Sequence, residues 1–148
     1  MAAFQERPAA GLPAARSPGS MAAMTDDFET YLEGWRRRMR EAESARTERA
    51  RRARGVLPVL VECLVRRYGA RRVILWGSLA SGGFGDGSDI DLVAEGLPPG
   101  RELFRALAEL QAMAPEFRVD LVPWEDATPE VREAAERDGE VLHGGGVA

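Results

Sequence analysis

Apolar positions recur along this chain at spacings that separate helices from strands. Phe28, Leu32, Trp35, Met39 and Ala42 follow one another at steps of four, three, four and three. That spacing predicts a helix with a heptad-like apolar seam on one face. Thr25 reads as its N-cap, with Asp26, Asp27 and Glu29 suited to the first turn. The seam fades into an Arg-, Ala- and Glu-rich stretch at 43–54, and Gly55 is expected to interrupt the helix. A second helix is expected from Pro58, with Leu60, Val61, Leu64 and Val65 on its apolar face and Gly69 at its end. The run Arg72 to Trp76 (RVILW) has the β-branched and aromatic bias of a buried strand. Ser88 to Ala94 (SDIDLVA) reads as a second strand. Leu103, Leu107, Leu110 and Ala114 then mark a helix that Pro115 stops. Phe117 to Val122 (FRVDLV) alternates as a third strand, with Arg118, Asp120 and Val122 on one side. Thr128 and Pro129 open a short helix that ends at Gly139, and Glu140 to His143 can add an edge strand.

Composition narrows the class. A chain of 148 residues suggests one domain, and 45% hydrophobic content is enough for a core. Residues 1–24, rich in Ala, Pro and Gly, read as a disordered leader, with Met21 and Met24 as possible true starts. Residues 25–54 form the N-terminal helix, and 55–148 the folded domain. The chain has no long apolar run and no hydrophobic segment of signal-peptide type, so a cytoplasmic protein is expected. The single Cys63 cannot form an internal disulfide, and one His with one Cys makes no usual zinc site. All 20 Lys and Arg residues are Arg, against 24 acids. Residues 55–148 carry 9 Arg against 16 acids, a poor balance for neutralising phosphates, so nucleic acid is an unlikely partner.

The chemistry concentrates in Gly77 to Leu92 (GSLASGGFGDGSDIDL). Residues two apart on a strand share a face, so Asp89 and Asp91 stand together while Ile90 and Leu92 turn into the core. Side-by-side carboxylates repel unless a cation lies between them. Mg²⁺ takes oxygen ligands and is commonly held by one or two carboxylates plus substrate phosphates. The Gly77-Ser78 turn lets backbone N–H groups approach phosphate oxygens. Trp76 and Trp124, at strand ends, can either pack in the core or stack on a base.

This stretch resembles the signature of the polymerase beta-like nucleotidyltransferase superfamily, in particular the minimal nucleotidyltransferase (MNT) group. Gly77, Ser78, Ala80, Gly82, Ser88, Asp89, Ile90, Asp91 and Leu92 fall at the matching spacing. The group often carries Arg where this chain has Ser81, which puts a phosphate contact in doubt. The resemblance covers about residues 56–143. It implies an α/β (α+β) fold, a small mixed sheet flanked by helices, here with an extra long N-terminal helix. It also implies ATP as substrate and two Mg²⁺ ions. Asp89, Asp91 and Asp120 would be the catalytic residues and metal ligands, Asp120 also helping to activate the attacking group. Gly77, Ser78 and Ser88 would be the nucleotide-binding residues.

The acceptor is less determined. Many MNT proteins resemble antitoxins that add AMP to a HEPN-type ribonuclease toxin, so the resemblance implies such a partner and a hydroxyl acceptor. A small-molecule, aminoglycoside-type transferase and a non-catalytic module acting by contact stay open. The N-terminal seam either packs on its own domain or supports homo- or hetero-oligomers.

Overall fold

The computed structural model describes residues 21–145. Residues 1–20 of the expected leader lie outside the described residues. Met21 to Met24 instead form the first turn of helix α1, Met21–Tyr68. The chain divides into two compact units, Met1–Ala42 and Glu43–Ala148, and α1 contributes to both.

Two expectations about α1 are corrected. Thr25 is not a cap: its hydroxyl donates to the Met21 carbonyl at 2.7 Å inside the helix. The Met and Ala residues just upstream are good helix formers and carry the helix past it. Gly55 does not break the helix, and Pro58 lies within it rather than opening a new one. A mid-helix proline loses one backbone hydrogen bond and crowds the preceding turn. Ala53, Leu57, Leu60, Cys63, Leu64 and Tyr68 bury one stripe of α1 on both sides of that point. Packing of this stripe outweighs the local cost.

The second unit is a four-stranded sheet in the order β3-β2-β1-β4. Strand β1, Arg72–Trp76, pairs antiparallel with β2, Ile90–Glu95, and with β4, Glu140–His143. Strand β3, Val119–Pro123, pairs parallel with β2. Helix α3, Arg101–Met113, makes the crossover that a parallel pair requires. The sheet is therefore mixed, as expected. One face carries Val73, Leu75, Ile90, Leu92 and Leu121, packed with Leu60 and Leu64 of α1 and Ala106 and Leu110 of α3. The other face carries Ile74 and Val93, covered by Ala135 of helix α4, Pro129–Asp138. Thr128 caps α4 as expected, its hydroxyl accepting the Val131 N–H at 3.2 Å. Trp124 packs against this smaller cluster, with the guanidinium groups of Arg72, 4.2 Å from the ring centre, and Arg132, at 5.2 Å, over its ring. Both cations hold the indole in place, which accounts for the residue without a bound base.

Gly55 is exposed, with open space where a Cβ would stand. In a continuous helix, Gly55→Ala should stabilise the protein by about 0.5–1 kcal/mol, because glycine is a poor helix interior residue. Urea unfolding checks this, and a loss of stability would mean that the chain turns at Gly55.

Candidate active site

The site begins with the pairing of β2 and β3. Their parallel register sets Asp91 directly beside Asp120, and the antiparallel register sets Trp76 beside Asp91. Directly paired residues share a face of the sheet, so Trp76, Asp91 and Asp120 form one row. It lies on the face of Ile74, Val93 and Val122, next along the strands from those apolar residues. Behind it, Ile90, Leu92, Val119 and Leu121 are buried on the opposite face and hold the register. A slip of one residue would turn both carboxylates into that core.

The electrostatics follow from this geometry. The Asp91 carboxyl is pushed up from 3.8 to about 6, first by burial, then by the charges of Asp120 and Asp89. Burial and like charges both disfavour the ionised form. Asp89 stands on the segment just before β2, half-buried, with Oδ2 4.0 Å from the Arg118 Nε. Strand pairing starts at Ile90, so register fixes Asp89 less firmly than Asp91. Among the described residues no three Asp, Glu, His or Cys side chains gather closely enough to hold a metal ion by themselves. Asp91 and Asp120 are directly paired, and Asp89 is near enough for its charge to act on Asp91.

Gly77 and Ser78 open the short helix α2, Gly77–Ser81, directly after β1. Gly77 has φ of +73°, and a Cβ there would run into the Asp91 carboxylate. Only glycine meets both conditions without strain. The helix is entered from extended backbone at Trp76, with no side-chain cap on its first N–H groups. Such groups are open to an anion. The turn ends at Gly82, where the N–H groups of Gly82 and Gly83 both donate to the Ser78 carbonyl at 3.0 Å. Ser81 is exposed and its hydroxyl lies 3.4 Å from the same carbonyl. Ser88 closes the loop: its hydroxyl accepts the Gly85 N–H at 2.8 Å. That contact gives Ser88 a structural task, separate from the nucleotide contact expected of it.

Several positioning residues were not apparent in the sequence. Arg49 of α1 donates from Nε to the Gly85 carbonyl at 3.2 Å and stacks over the Phe84 and Phe117 rings. Those rings meet edge to face with centres 6.0 Å apart. Arg54 donates to the Leu79 carbonyl at 3.1 Å and pairs with Glu140 at 2.9 Å. Gln111 of α3 donates to the Phe117 carbonyl at 2.5 Å and accepts the Val119 N–H at 3.0 Å, which fixes the entry to β3. Phe84, an aromatic in a Gly-rich loop, was the one available signal. Arg49, Arg54 and Gln111 sit in polar helix positions that look solvated. The Trp76 indole N–H is buried with no partner among the described residues, at the carboxylate row.

Residues 57–142 match the nucleotidyltransferase domain family. The chain belongs to that family. That match bears out the resemblance read from the Gly77 to Leu92 pattern. No curated protein matches this nucleotidyltransferase. Among solved structures, one described provisionally as a minimal nucleotidyltransferase is 34% identical, covering 64% of this chain and 91% of its own, with a TM-score of 0.46. A mutant of the toxin-antitoxin MntA-HpeT is 20% identical over 57% of this chain and 70% of its own, with a TM-score of 0.50. The Shewanella oneidensis complex of a tri-AMPylated HEPN toxin with an MNT antitoxin is 17% identical, covering 67% of this chain and 72% of that one, at a TM-score of 0.41. Among the described residues no helix is long and apolar enough to cross a membrane.

Two outcomes follow from the site. A carboxyl whose pKa is raised by folding lowers stability as pH rises from its unfolded value to its folded one. For Asp91 that window runs from 3.8 to about 6. In metal-free buffer, Asp91→Asn should therefore gain stability over the wild type as pH rises through this window and keep the gain above it. The gain should be about 1 kcal/mol, reduced from the full linkage value because Asp91 is half-exposed. Thermal melts of the two proteins across pH give the difference curve. Gly77→Ala should cost roughly 1–3 kcal/mol in urea unfolding, since it adds both a left-handed alanine and a clash at Asp91.

Proposed function

We propose that this nucleotidyltransferase moves AMP from ATP to a hydroxyl on a separate HEPN-type protein and thereby acts as an antitoxin. The observation that carries the reading is the Asp91 and Asp120 pair standing beside Gly77 at the mouth of α2. The residues fit Mg²⁺: two adjacent carboxylates, one with its pKa raised by burial and then by like charge, suit a hard cation whose other ligands are substrate phosphates. A complete cage from protein atoms is not needed for that. When bound, the metal neutralises charge on the phosphates and favours departure of pyrophosphate. Asp91 and Asp120 are the residues that would hold it, with Asp89 alongside. The N–H groups at Gly77 and Ser78 would hold phosphate oxygens. Asp120, exposed at the rim, would take the proton from the attacking hydroxyl. The acceptor oxygen bonds to the α-phosphorus as the bond to the β-phosphate side breaks, and pyrophosphate leaves.

The likeness in fold to one half of a toxin-antitoxin pair supports a protein as acceptor. The acidic balance of residues 55–148 weighs against nucleic acid in that role. Ser81 in the place of an arginine favours one second reading, a module that blocks its partner by contact alone.

Incubating the purified chain with a HEPN protein encoded beside it, α-labelled ATP and Mg²⁺ separates these readings. Label should appear on the partner and fall by about 10²-fold or more with Asp91→Asn or Asp120→Asn. An unlabelled partner that is still inhibited at stoichiometric ratio would establish the contact reading. Label on an aminoglycoside instead would make the acceptor a small molecule.

A further inference from the structure

The first unit carries a surface that the transferase site does not use. Phe28, Tyr31, Trp35 and Met39 of α1 are 59%, 63%, 47% and 44% exposed, and Leu32 lies among them. Phe28, Leu32, Trp35 and Met39 cluster within a narrow arc of the helix, the geometry of a two-stranded seam. Such a stripe is costly to leave in water.

We propose that this stripe pairs with the same stripe of a second copy, with the two helices antiparallel. The argument rests on the order of residues along the stripe. Phe28 and Trp35 take one seam position of the heptad, and Leu32 and Met39 the other. In an antiparallel pair, the two seam positions face each other across the axis. Phe28 then meets Met39 of the second copy, and Leu32 meets Trp35, with each contact repeated by symmetry. Every large seam residue finds a large apolar partner. A closed two-fold pair of this kind is self-complementary.

Charge is compatible with the same direction. Upstream of Gly34 the helix carries Asp26, Asp27, Glu29 and Glu33, and downstream Arg36, Arg37, Arg38 and Arg40. A parallel pair would leave Glu29 beside Met24 of the second copy, with no charged partner, and set Arg38 beside Glu43 instead. An antiparallel pair sets the acidic half of each helix against the basic half of the other. Along one flank of the seam, Glu29 falls beside Arg36 of the second copy. Along the other, Tyr31 falls beside Arg38, where the guanidinium can stack on the ring. The exposed Tyr31 and the basic tract thus acquire a shared use. Flanking charges of this kind set partner choice and orientation in helix pairs.

The test uses the full chain in analytical ultracentrifugation from about 1 to 100 μM, a range that brackets modest self-association. The wild type should form a dimer in that range. Glu29→Arg alone and Arg36→Glu alone each place like charges opposite one another twice, and each should weaken the dimer by about tenfold or more. Mixing the two single variants should restore a heterodimer, and the double exchange should restore a homodimer. Trp35→Glu should give a monomer with unchanged helical circular dichroism. A wild type that stays monomeric throughout would overturn the proposal. So would a dimer that the single reversals leave untouched, because a parallel pair does not oppose residues 29 and 36. A chain that is monomeric alone but loses HEPN binding on Trp35→Glu would assign the stripe to that partner instead.

Discussion

Asp91 and Asp120 occupy paired positions on neighbouring parallel strands, and like charges so placed repel. Their alignment persists because Ile90, Leu92, Val119 and Leu121, alternating with them, are buried on the opposite face. The same register that buries four apolar side chains brings two carboxylates together. Everything else around the site either supports that register or makes room for it. Helix α3 returns the chain for a parallel pairing, and Gln111 holds the last turn before β3 by hydrogen bonds to Phe117 and Val119. Gly77 leaves space for the Asp91 carboxylate that no other residue would leave.

Helix α1 enters this arrangement in an unexpected way. Its residues beyond Ala42 are part of the sheet unit, and Arg49 and Arg54 each reach a backbone carbonyl of the α2 region. The Gly-rich loop has little side-chain mass with which to hold itself. Arg49, clamped over Phe84 and Phe117, supplies that hold from outside. The guanidinium groups here serve loop geometry, since both donate to peptide carbonyls.

Most of the fold was legible in the chain. The β-branched and aromatic run Arg72–Trp76 read correctly as a buried strand, and alternation in Phe117 to Val122 gave that strand its correct faces, because Phe117, Val119 and Leu121 are all buried. The placing of Asp91 and Asp120 on strands led to the carboxylate row, whereas Asp89, read as a strand residue, stands just before β2. Gly55 and Pro58 misled, since their local preferences oppose a helix that tertiary packing sustains. Arg49 and Arg54 were not legible, because each acts on a backbone group distant in sequence, and Gln111 because it reaches from its helix into the turn and strand that follow. No periodicity encodes such a contact.

The carboxylate row also sets a direction for drift. The mutual repulsion of Asp91 and Asp120, added to the burial of Asp91, is a standing cost to the folded state. Random replacement of either aspartate by a neutral residue is thus favoured by folding and opposed only by the need for chemistry. A lineage released from that need would shed these side chains early and keep the sheet, the loop and α1 intact. Persistence of the pair across descendants of this chain would accordingly point to selection for something other than a stable fold.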